Sequence, residues 1–234
     1  MKNCIAIITA RGGSKRIPRK NIRNFLGKPI IEYSINAALG AGCFTEVMVS
    51  TDDNEIAEVA LRAGAKVPFM RSAKNSDDNA VTAAVVLEVL NMYAEKGMKF
   101  DYCCCIYPTA PFITSEKLIN AFNLLKTRNA KSLVPVVKFS VPILRSFKIE
   151  DNLLKPNWPD YINHRSQDLA PAYYDSGQFY FLKVSSFFID KKIFSDNSVC
   201  IEMSESEVQD IDNEADWLIA EIKYQIATKK NEIL

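Results

Sequence analysis

The 234-residue chain lacks the features that mark several large classes of protein. No apolar run approaches the ~20 residues that a membrane-spanning helix needs, and the N-terminal region has no long apolar stretch of a signal peptide. The six cysteines include no C-x-x-C pair, which argues against a zinc site or a disulfide framework. These absences predict a cytoplasmic protein with no membrane partner.

Acidic side chains are missing from the N-terminal region. Eight of the 29 basic residues precede Glu32, the first acidic residue, although the net charge of the whole chain is only +1. Because the positive charge is concentrated in one short region, it favours a local anion-binding site over an extended nucleic-acid-binding surface. We therefore expect no nucleic-acid partner.

Two common phosphate-binding motifs, G-x-x-x-x-G-K-[ST] and G-x-G-x-x-G, are also absent. Instead, the apolar run Ile5 to Ile8 is followed by R-G-G-S-K at residues 11–15. This pattern is typical of a buried strand that delivers a loop to the ligand-binding edge of a parallel sheet. Glycines let backbone N–H groups approach an anion, and Arg11 and Lys15 add positive charge, so we predict a polyphosphate site. The alternative is an ordinary solvated basic loop.

The rest of the chain alternates strand and helix patterns. Strands are predicted at 46–50, 66–70, 102–106, 132–138, 177–183 and 199–203. Helices are predicted at 29–39, 79–96 and 213–226, and Gly40 is expected to end the first of them. Another helix is predicted to follow a cap at Thr51 or Asp52, and a further one to run from a cap at Thr114 to residue 126. Nearly all-apolar strands in this order predict one α/β domain over residues 1–234, with a mostly parallel sheet covered by helices on both faces.

The proline-rich segment 139–171 interrupts the alternation. Turn signals and two short strand-like runs predict a protruding excursion from the main sheet. We expect it to close over a substrate, to contact a second subunit, or both.

A second candidate site is Asp210-Ile211-Asp212. In an extended chain, residues i and i+2 point to the same face, so both carboxylates can meet one hard cation while Ile211 packs inward. Mg²⁺ prefers one or two carboxylates together with phosphate oxygens, as in nucleotidyl transfer. The alternative is that Asp212 caps the last helix and Asp210 is a surface acid; the basic loop favours the metal interpretation.

A third cluster lies near Arg165, Gln167 and Tyr174. The planar fork of Arg165 suits a carboxylate, and the other two side chains can hydrogen-bond hydroxyls or amides, which together suit an acidic sugar. An ordinary loop-to-strand transition is the competing interpretation. The single histidine, His164, has no acidic or cysteine neighbour in sequence and is predicted to be a surface or packing residue.

The run A-R-G-G-S-K-R-I-P-R-K-N-I at residues 10–22 resembles the phosphate loop of the cytidylyltransferases that activate nonulosonic acids, the family of CMP-sialic acid synthetases. The resemblance extends over essentially the whole chain and includes P-I-I-E-Y-S-I, S-T-D-D, P-T-A-P and the late D-I-D. Members transfer CMP from CTP to the anomeric hydroxyl of a nine-carbon keto-acid sugar and release pyrophosphate. The resemblance implies a Rossmann-like nucleotidyltransferase sheet and a homodimer whose protruding segment helps to complete the partner's sugar site.

Residue by residue, the resemblance implies four overlapping sets of site residues. The nucleotide-binding set is Ala10, Arg11, Gly12, Gly13, Ser14, Lys15, Asn21 and Arg71. Asp210 and Asp212 match the Mg²⁺ ligands, and Arg11, Lys15 and Asp212 are the implied catalytic residues. The sugar-site positions are Tyr107, Arg165, Gln167 and Tyr174.

The sugar-site motifs differ from those of sialate-activating members, which usually have Q-P-T-S-P-L-R where this chain has Y-P-T-A-P-F-I. Three motifs resemble the subgroup that activates pseudaminic acid: Y-P-T-A-P-F, S-D-D-N-A-V-T and Y-D-S-G-Q-F-Y. That subgroup commonly has His where this chain has Tyr174 and Ala where it has Ser176. Pseudaminic acid is therefore the expected substrate, with sialic and legionaminic acid as alternatives. A non-catalytic nucleotide-binding regulatory protein on the same fold is the alternative of another class.

Overall fold

The computed structural model describes residues 3–77 and 80–233, with side chains described as far as residue 228. The strands are β1 (Cys4–Thr9), β2 (Asn24–Phe25), β3 (Lys28–Pro29), β4 (Glu46–Ser50), β5 (Tyr102–Ile106), β6 (Ser132–Lys138), β7 (Phe147–Glu150), β8 (Leu153–Pro156), β9 (Tyr173–Asp175), β10 (Phe179–Lys183) and β11 (Ser198–Met203). The α-helices are α1 (Ile30–Ala41), α2 (Asn54–Arg62), α3 (Thr82–Glu95), α4 (Ser115–Thr127), α5 (Val184–Asp190) and α6 (Glu214–Ile233).

A seven-stranded sheet forms the centre of the described chain, in the order β11-β6-β10-β5-β1-β4, with β9 paired to the far end of β6. Only β9 and β10 run against the other five strands. Helices α1, α2 and α4 contribute to the core on one face, while α3 and α5 contribute to the core on the other. The predicted α/β fold, a mostly parallel sheet with helices on both faces, is confirmed.

Strand β1 shows why this sheet forms. Successive side chains of a strand point to opposite faces. Accordingly, Ala6 and Ile8 pack into one core cluster and Ile5 and Ile7 into the other, all fully buried. A strand that is apolar at every position is stable only between two helical layers.

The position of β1 also determines where the site lies. It pairs in parallel with β4 on one side and with β5 on the other, so the chain leaves all three strands at the same edge of the sheet. In open α/β sheets, this carboxyl edge is where ligands bind.

Three local predictions are wrong: the cap of α2, the strand at 66–70 and the end of α1 at Gly40. Helix α2 is capped by Asp53, whose Oδ1 accepts a 3.0 Å hydrogen bond from the N–H of Ile56, and not by Thr51 or Asp52. The expected strand at 66–70 is reduced to one bridge between Lys66 and Met48. Pro68 has no N–H to donate, which explains why the pairing stops.

Helix α1 continues past the predicted terminator Gly40 and ends at Ala41, followed by the C-cap residue Gly42, which adopts a left-handed φ of 61°. Gly40 has a different role, because a Cβ there would lie only 2.6 Å from Oγ of Ser115 at the start of α4. The absence of a side chain therefore allows α1 and α4 to pack closely.

The other predicted helices begin close to the expected positions, but α6 extends well past its predicted end at residue 226, to Ile233. The Thr114 cap is confirmed, since its Oγ1 accepts from the N–H of Lys117 at 3.2 Å. Helix α3 begins at Thr82; the predicted start, Asn79, lies outside the described residues. Strands 46–50, 102–106 and 132–138 have the predicted bounds.

The segment 139–171 contains a separate antiparallel hairpin of β7 and β8, which does not pair with the main sheet. Several of its apolar side chains are exposed, including Ile149, Leu153 and Leu154. Within the described ranges, no helix combines the length and apolar character required to cross a bilayer.

Candidate active site

The loop after β1 begins as a continuation of the sheet. The N–H of Ala10 donates to the carbonyl oxygen of Ser50 at 3.0 Å, and the N–H of Gly12 donates to Oδ1 of Asp52 at 2.9 Å. Ser50 is the last residue of β4 and Asp52 follows it, so the neighbouring strand holds the loop at the sheet edge. The N–H of Gly12 is thus directed to a carboxylate in this structure.

The two glycines of the loop have different steric surroundings. A Cβ on Gly12 would lie 2.7 Å from Oδ2 of Asp53, whereas a Cβ on Gly13 would meet nothing within 4 Å. Asp53 cannot withdraw easily, because it caps α2 and forms hydrogen bonds of 2.6 and 3.1 Å with Arg19. Close packing against α2 therefore requires glycine at position 12.

A cavity of about 670 Å³ opens beside this loop. Its walls comprise the loop after β1, residues between 71 and 85 that lead into α3, and the segment after β5. The lining residues are Thr9, Arg11, Ser14, Lys15, Arg16, Lys20, Asn21, Arg71, Asn75, Asp77, Ala80, Thr82, Val85, Tyr107, Pro108 and Thr109. Of the expected nucleotide-binding set, Arg11, Ser14, Lys15, Asn21 and Arg71 line the cavity, whereas Ala10, Gly12 and Gly13 do not.

Asn21 and Arg71 are held by backbone acceptors. Nδ2 of Asn21 donates to the carbonyl oxygen of Arg11 at 2.8 Å, which ties the following turn to the loop. Nε of Arg71 donates to Oγ of Ser50 at 3.0 Å, and its Nη2 bonds the carbonyl oxygen of the same residue. Burial lowers the pKa of Arg71, although nearby acids, Asp52 first, oppose the shift. Its guanidinium is thus a buried, fixed donor on the cavity wall.

The late acidic pair lies against the basic loop. Nη2 of Arg16 is 2.7 Å from Oδ1 of Asp212, and Nζ of Lys20 is 3.9 Å from the same oxygen. The side chain of Ile211, between the two acids, is buried as expected. Residues from opposite ends of the chain therefore meet beside the cavity.

The acids also affect one another. Partial burial, and next the charge of Asp212, raise the pKa of the Asp210 carboxyl. Burial lowers the pKa of Lys20, while Asp212 and Asp210 partly offset that effect. The two carboxylates are close enough to repel, which is the situation that a shared cation relieves.

Asp212 does not cap the last helix. Oδ1 of Asn213 accepts from the N–H of Asp216, and Oδ2 of Asp216 accepts from the N–H groups of Asn213 and Asp212. This is a reciprocal capping box at the start of α6. The carboxylate of Asp212 is consequently directed to the basic loop rather than to the helix end.

Tyr107 is the expected sugar-site residue that lines the cavity. Its hydroxyl lies 3.0 Å from Oγ1 of Thr82, and burial raises its pKa. Its backbone is fixed on both sides: the N–H donates to the carbonyl oxygen of Gln178, and the carbonyl accepts from Oγ of Ser34.

The other expected sugar-site residues lie elsewhere in the single chain. Arg165 pairs with Asp168 at 2.8 Å, and Gln167 lines a second groove of about 380 Å³ between the end of β6 and residues 166–172. The ring of Tyr174 packs against that of Phe139 in a tilted arrangement, with centroids 4.9 Å apart. None of these three residues lines the cavity that contains Tyr107.

Several cavity residues were not singled out from the sequence. Arg16 and Lys20 were recognised only as part of the basic run, yet both line the cavity and approach Asp212. Thr82 was noted only within a motif. His164 is exposed and contacts the ring of Tyr161, in agreement with a surface role.

Known proteins are similar to the chain along nearly its whole length. A family model described as cytidylyltransferase matches residues 5–208. A pseudaminic acid cytidylyltransferase of Campylobacter jejuni is 42% identical over 97% of both chains. A CMP-N,N'-diacetyllegionaminic acid synthase of Legionella pneumophila is 34% identical over 93% of this chain and 94% of its own. Among solved structures, a CMP:2-keto-3-deoxy-manno-octonic acid synthetase complexed with CTP shares the fold, with a TM-score of 0.70, 16% identity and coverage of 97% of this chain and 100% of that one.

Proposed function

Because the chain belongs to the cytidylyltransferase family, and is thus a nucleotidyltransferase, we propose that it transfers CMP from CTP to the anomeric hydroxyl of pseudaminic acid and releases pyrophosphate. One observation carries the proposal. The cavity at the carboxyl edge of β1, β4 and β5 has a basic wall that includes Arg11, Lys15 and Arg71, and the acidic pair Asp210 and Asp212 lies beside it.

The loop residues would bind and orient the triphosphate. In-line attack on the α-phosphate places negative charge on the phosphate oxygens as pyrophosphate leaves. Arg11 and Lys15 line the cavity, where fixed positive charges stabilise that charge more than they stabilise the ground state. Asn21 supports Arg11 through its backbone, so the loop is held in shape before CTP binds.

The donor chemistry of Asp210 and Asp212 fits Mg²⁺. They offer hard carboxylate oxygens. Partial burial, followed by the charge of Asp212, raises the pKa of Asp210, and a bound cation would offset both effects. No group of three or more His, Cys, Asp or Glu side chains suited to a metal occurs in the described residues, so phosphate and water oxygens would complete the shell. When bound, Mg²⁺ would neutralise charge on the phosphates. Nη2 of Arg16 lies 2.7 Å from Oδ1 of Asp212 and would have to move away before Mg²⁺ could bind this oxygen.

Support for pseudaminic acid comes from the Campylobacter relative and from Tyr107, which replaces the glutamine of sialate-activating members. CMP-legionaminic and CMP-sialic acid synthesis are the alternatives within the family. A panel of pseudaminic, legionaminic and sialic acids with CTP, followed by pyrophosphate release, tests the choice. Pseudaminic acid should give the highest kcat/KM; a higher value for another sugar would replace it. CTP binding without pyrophosphate release from any sugar would favour a non-catalytic nucleotide-binding protein.

The proposal includes a homodimer in the cytoplasm. The hairpin of β7 and β8 exposes apolar side chains that a partner would bury, with Ile149, Leu153 and Leu154 each more than 60% exposed. Arg165 and Gln167 lie on the same excursion and away from their own chain's cavity, which supports their delivery to the partner's sugar site.

A further inference from the structure

The side chain of Glu88, on α3, accepts hydrogen bonds from a turn that precedes the helix. Its Oε1 accepts from the N–H of Ser72 at 2.7 Å, and its Oε2 accepts from Oγ of Ser72 at 2.9 Å. Nδ2 of Asn75 also donates to Oε2. All three donors belong to residues 72–75, which include one turn of 3₁₀ helix. One carboxylate therefore ties this turn to α3.

The turn forms part of the cavity wall. Arg71, Asn75 and Asp77 line the cavity, whereas Glu88 does not. Arg71 is held from the strand side, because its N–H donates to the carbonyl oxygen of Thr51 at 2.7 Å. The residues that follow Arg71 are tied to α3 through Glu88 instead. Glu88 can therefore shape the wall without lining the cavity.

This part of the wall meets the loop after β1. Nη1 of Arg11 donates to the carbonyl oxygen of Asp77 at 3.0 Å. Arg11 and Arg71 both belong to the residues proposed to bind CTP, whereas Tyr107, the sugar-site candidate in this cavity, follows β5 on another wall. A displacement of residues 72–77 should therefore disturb the nucleotide before it disturbs the sugar.

The chemistry of Glu88 suits three donors. An ionised carboxylate only accepts hydrogen bonds, and its two oxygens offer enough lone pairs for all three. Partial burial alone would raise the pKa of the Glu88 carboxyl, but the hydrogen bonds from Asn75 and Ser72 outweigh burial and lower the pKa below its usual value. A glutamine in this position could accept through one oxygen only, and its NH₂ group would face a donor.

We propose that Glu88 is a positioning residue that holds the turn 72–75 in place and thereby raises the affinity of the cavity for CTP. The inference rests on the proposed transfer of CMP from CTP, and it concerns what keeps the nucleotide wall in shape before the substrate binds. A wall that is already ordered spares CTP the cost of ordering it.

Glu88→Gln tests this role with little change in the size of the side chain. The Kd for CTP, measured by calorimetry without sugar, should rise about 10-fold, while the KM for the sugar stays within about twofold, because the donors that lose their acceptor lie on the nucleotide wall. The matched control is Glu95→Gln, at an exposed position near the end of the same helix. Glu95→Gln should leave both constants unchanged.

A double-mutant cycle tests whether Glu88 acts through the turn. Asn75→Ala should also raise the Kd for CTP. Because the turn is already released in Glu88→Gln, the double variant should lose less affinity than the product of the two single losses. Losses that multiply would show that Glu88 acts independently of Asn75 and would contradict the proposed role.

The outcomes separate this inference from the proposed function. If native protein binds CTP but Glu88→Gln binds it as tightly as Glu95→Gln does, or raises the Kd for CTP and the KM for sugar by equal factors, the positioning role is wrong. If native protein binds CTP but releases no pyrophosphate with any nonulosonic acid, the proposed transfer fails, while the Kd values for CTP still decide the role of Glu88.

Thermal unfolding shows whether Glu88→Gln folds. If it does not, Ser72→Ala replaces it, because this change removes a single hydroxyl donor at an exposed position. The Kd for CTP should then rise by a smaller factor, about threefold. An unchanged Kd in folded Ser72→Ala would overturn the inference.

Discussion

Nζ of Lys20 donates a 2.6 Å hydrogen bond to the carbonyl oxygen of Ile211, which lies 191 residues later in the chain. Ile211 separates the two acids of the proposed metal pair, and Lys20 itself lines the cavity. One side chain therefore connects the basic loop to the acidic pair. This contact explains how two motifs from opposite ends of the sequence can serve one substrate.

Replacing this lysine should weaken the connection. Lys20→Met keeps the length of the side chain but leaves the Ile211 carbonyl without its donor, at a cost of about 1 to 3 kcal/mol in the free energy of unfolding. Half-maximal activity should also require more Mg²⁺, because the acidic pair is less well placed. Urea unfolding and a Mg²⁺ titration measure the two effects. Lys192→Met, at an exposed loop position, is the control; equal effects in both variants would contradict the role of Lys20.

Asp210 should reduce stability at neutral pH in the absence of metal. Its pKa is raised in the folded protein, so stability is lost as pH rises through the window between its unfolded and folded pKa values. Asp210→Asn should therefore have a higher Tm than the native protein at pH 7 without Mg²⁺, and the difference should vanish at acidic pH. Mg²⁺ with CTP should stabilise the native protein more than the variant. A Tm gain for Asp210→Asn that persists in acid would contradict the pKa explanation.

The two loop glycines should respond differently to alanine. Gly12→Ala places a Cβ against Asp53, which is fixed by Arg19 and by its cap on α2, so unfolding free energy should fall by about 1 to 3 kcal/mol. Gly13→Ala meets open space and should change it by less than about 1 kcal/mol. Chemical denaturation of the two variants in parallel checks this. Similar stabilities would mean that the loop does not pack on α2 as described.

The proposed dimer predicts a specific loss at the hairpin. Leu154→Asp puts a charge on a surface that the partner would bury, so the protein should become monomeric and the KM for sugar should rise more than the KM for CTP. Analytical ultracentrifugation and steady-state kinetics measure the two properties. Ile222→Asp is the matched control, since Ile222 is 57% exposed on α6, compared with 63% for Leu154. Dissociation by Ile222→Asp, with Leu154→Asp still dimeric, would place the interface elsewhere.

Much of the sheet could be predicted because its signals are local. The apolar runs at 5–8, 46–50 and 102–106 are strands, and the loop after the first run reaches the carboxyl edge as expected. The cap of α2 was missed because Thr51, Asp52 and Asp53 are all suitable cap residues. The choice depends on Gly12, which engages Asp52 through a tertiary hydrogen bond and leaves Asp53 to the helix.

The site was only partly predictable for the same reason. The basic loop and the acidic pair are visible as motifs, but their contact through Lys20 and Arg16 depends on how α6 packs. The contact between the rings of Tyr107 and Tyr180 depends on the antiparallel pairing of β10 with β5, which no short sequence pattern specifies.

The central claim is that the basic loop and the acidic pair form one site for nucleotidyl transfer. The most direct test is the rate of pyrophosphate release from CTP and pseudaminic acid for the native enzyme, Lys15→Ala and Asp212→Ala, with folding checked by circular dichroism. The expected result is Mg²⁺-dependent release of pyrophosphate by the native enzyme and a loss of about 100-fold or more in kcat for each folded variant. Near-native rates in both variants would contradict it.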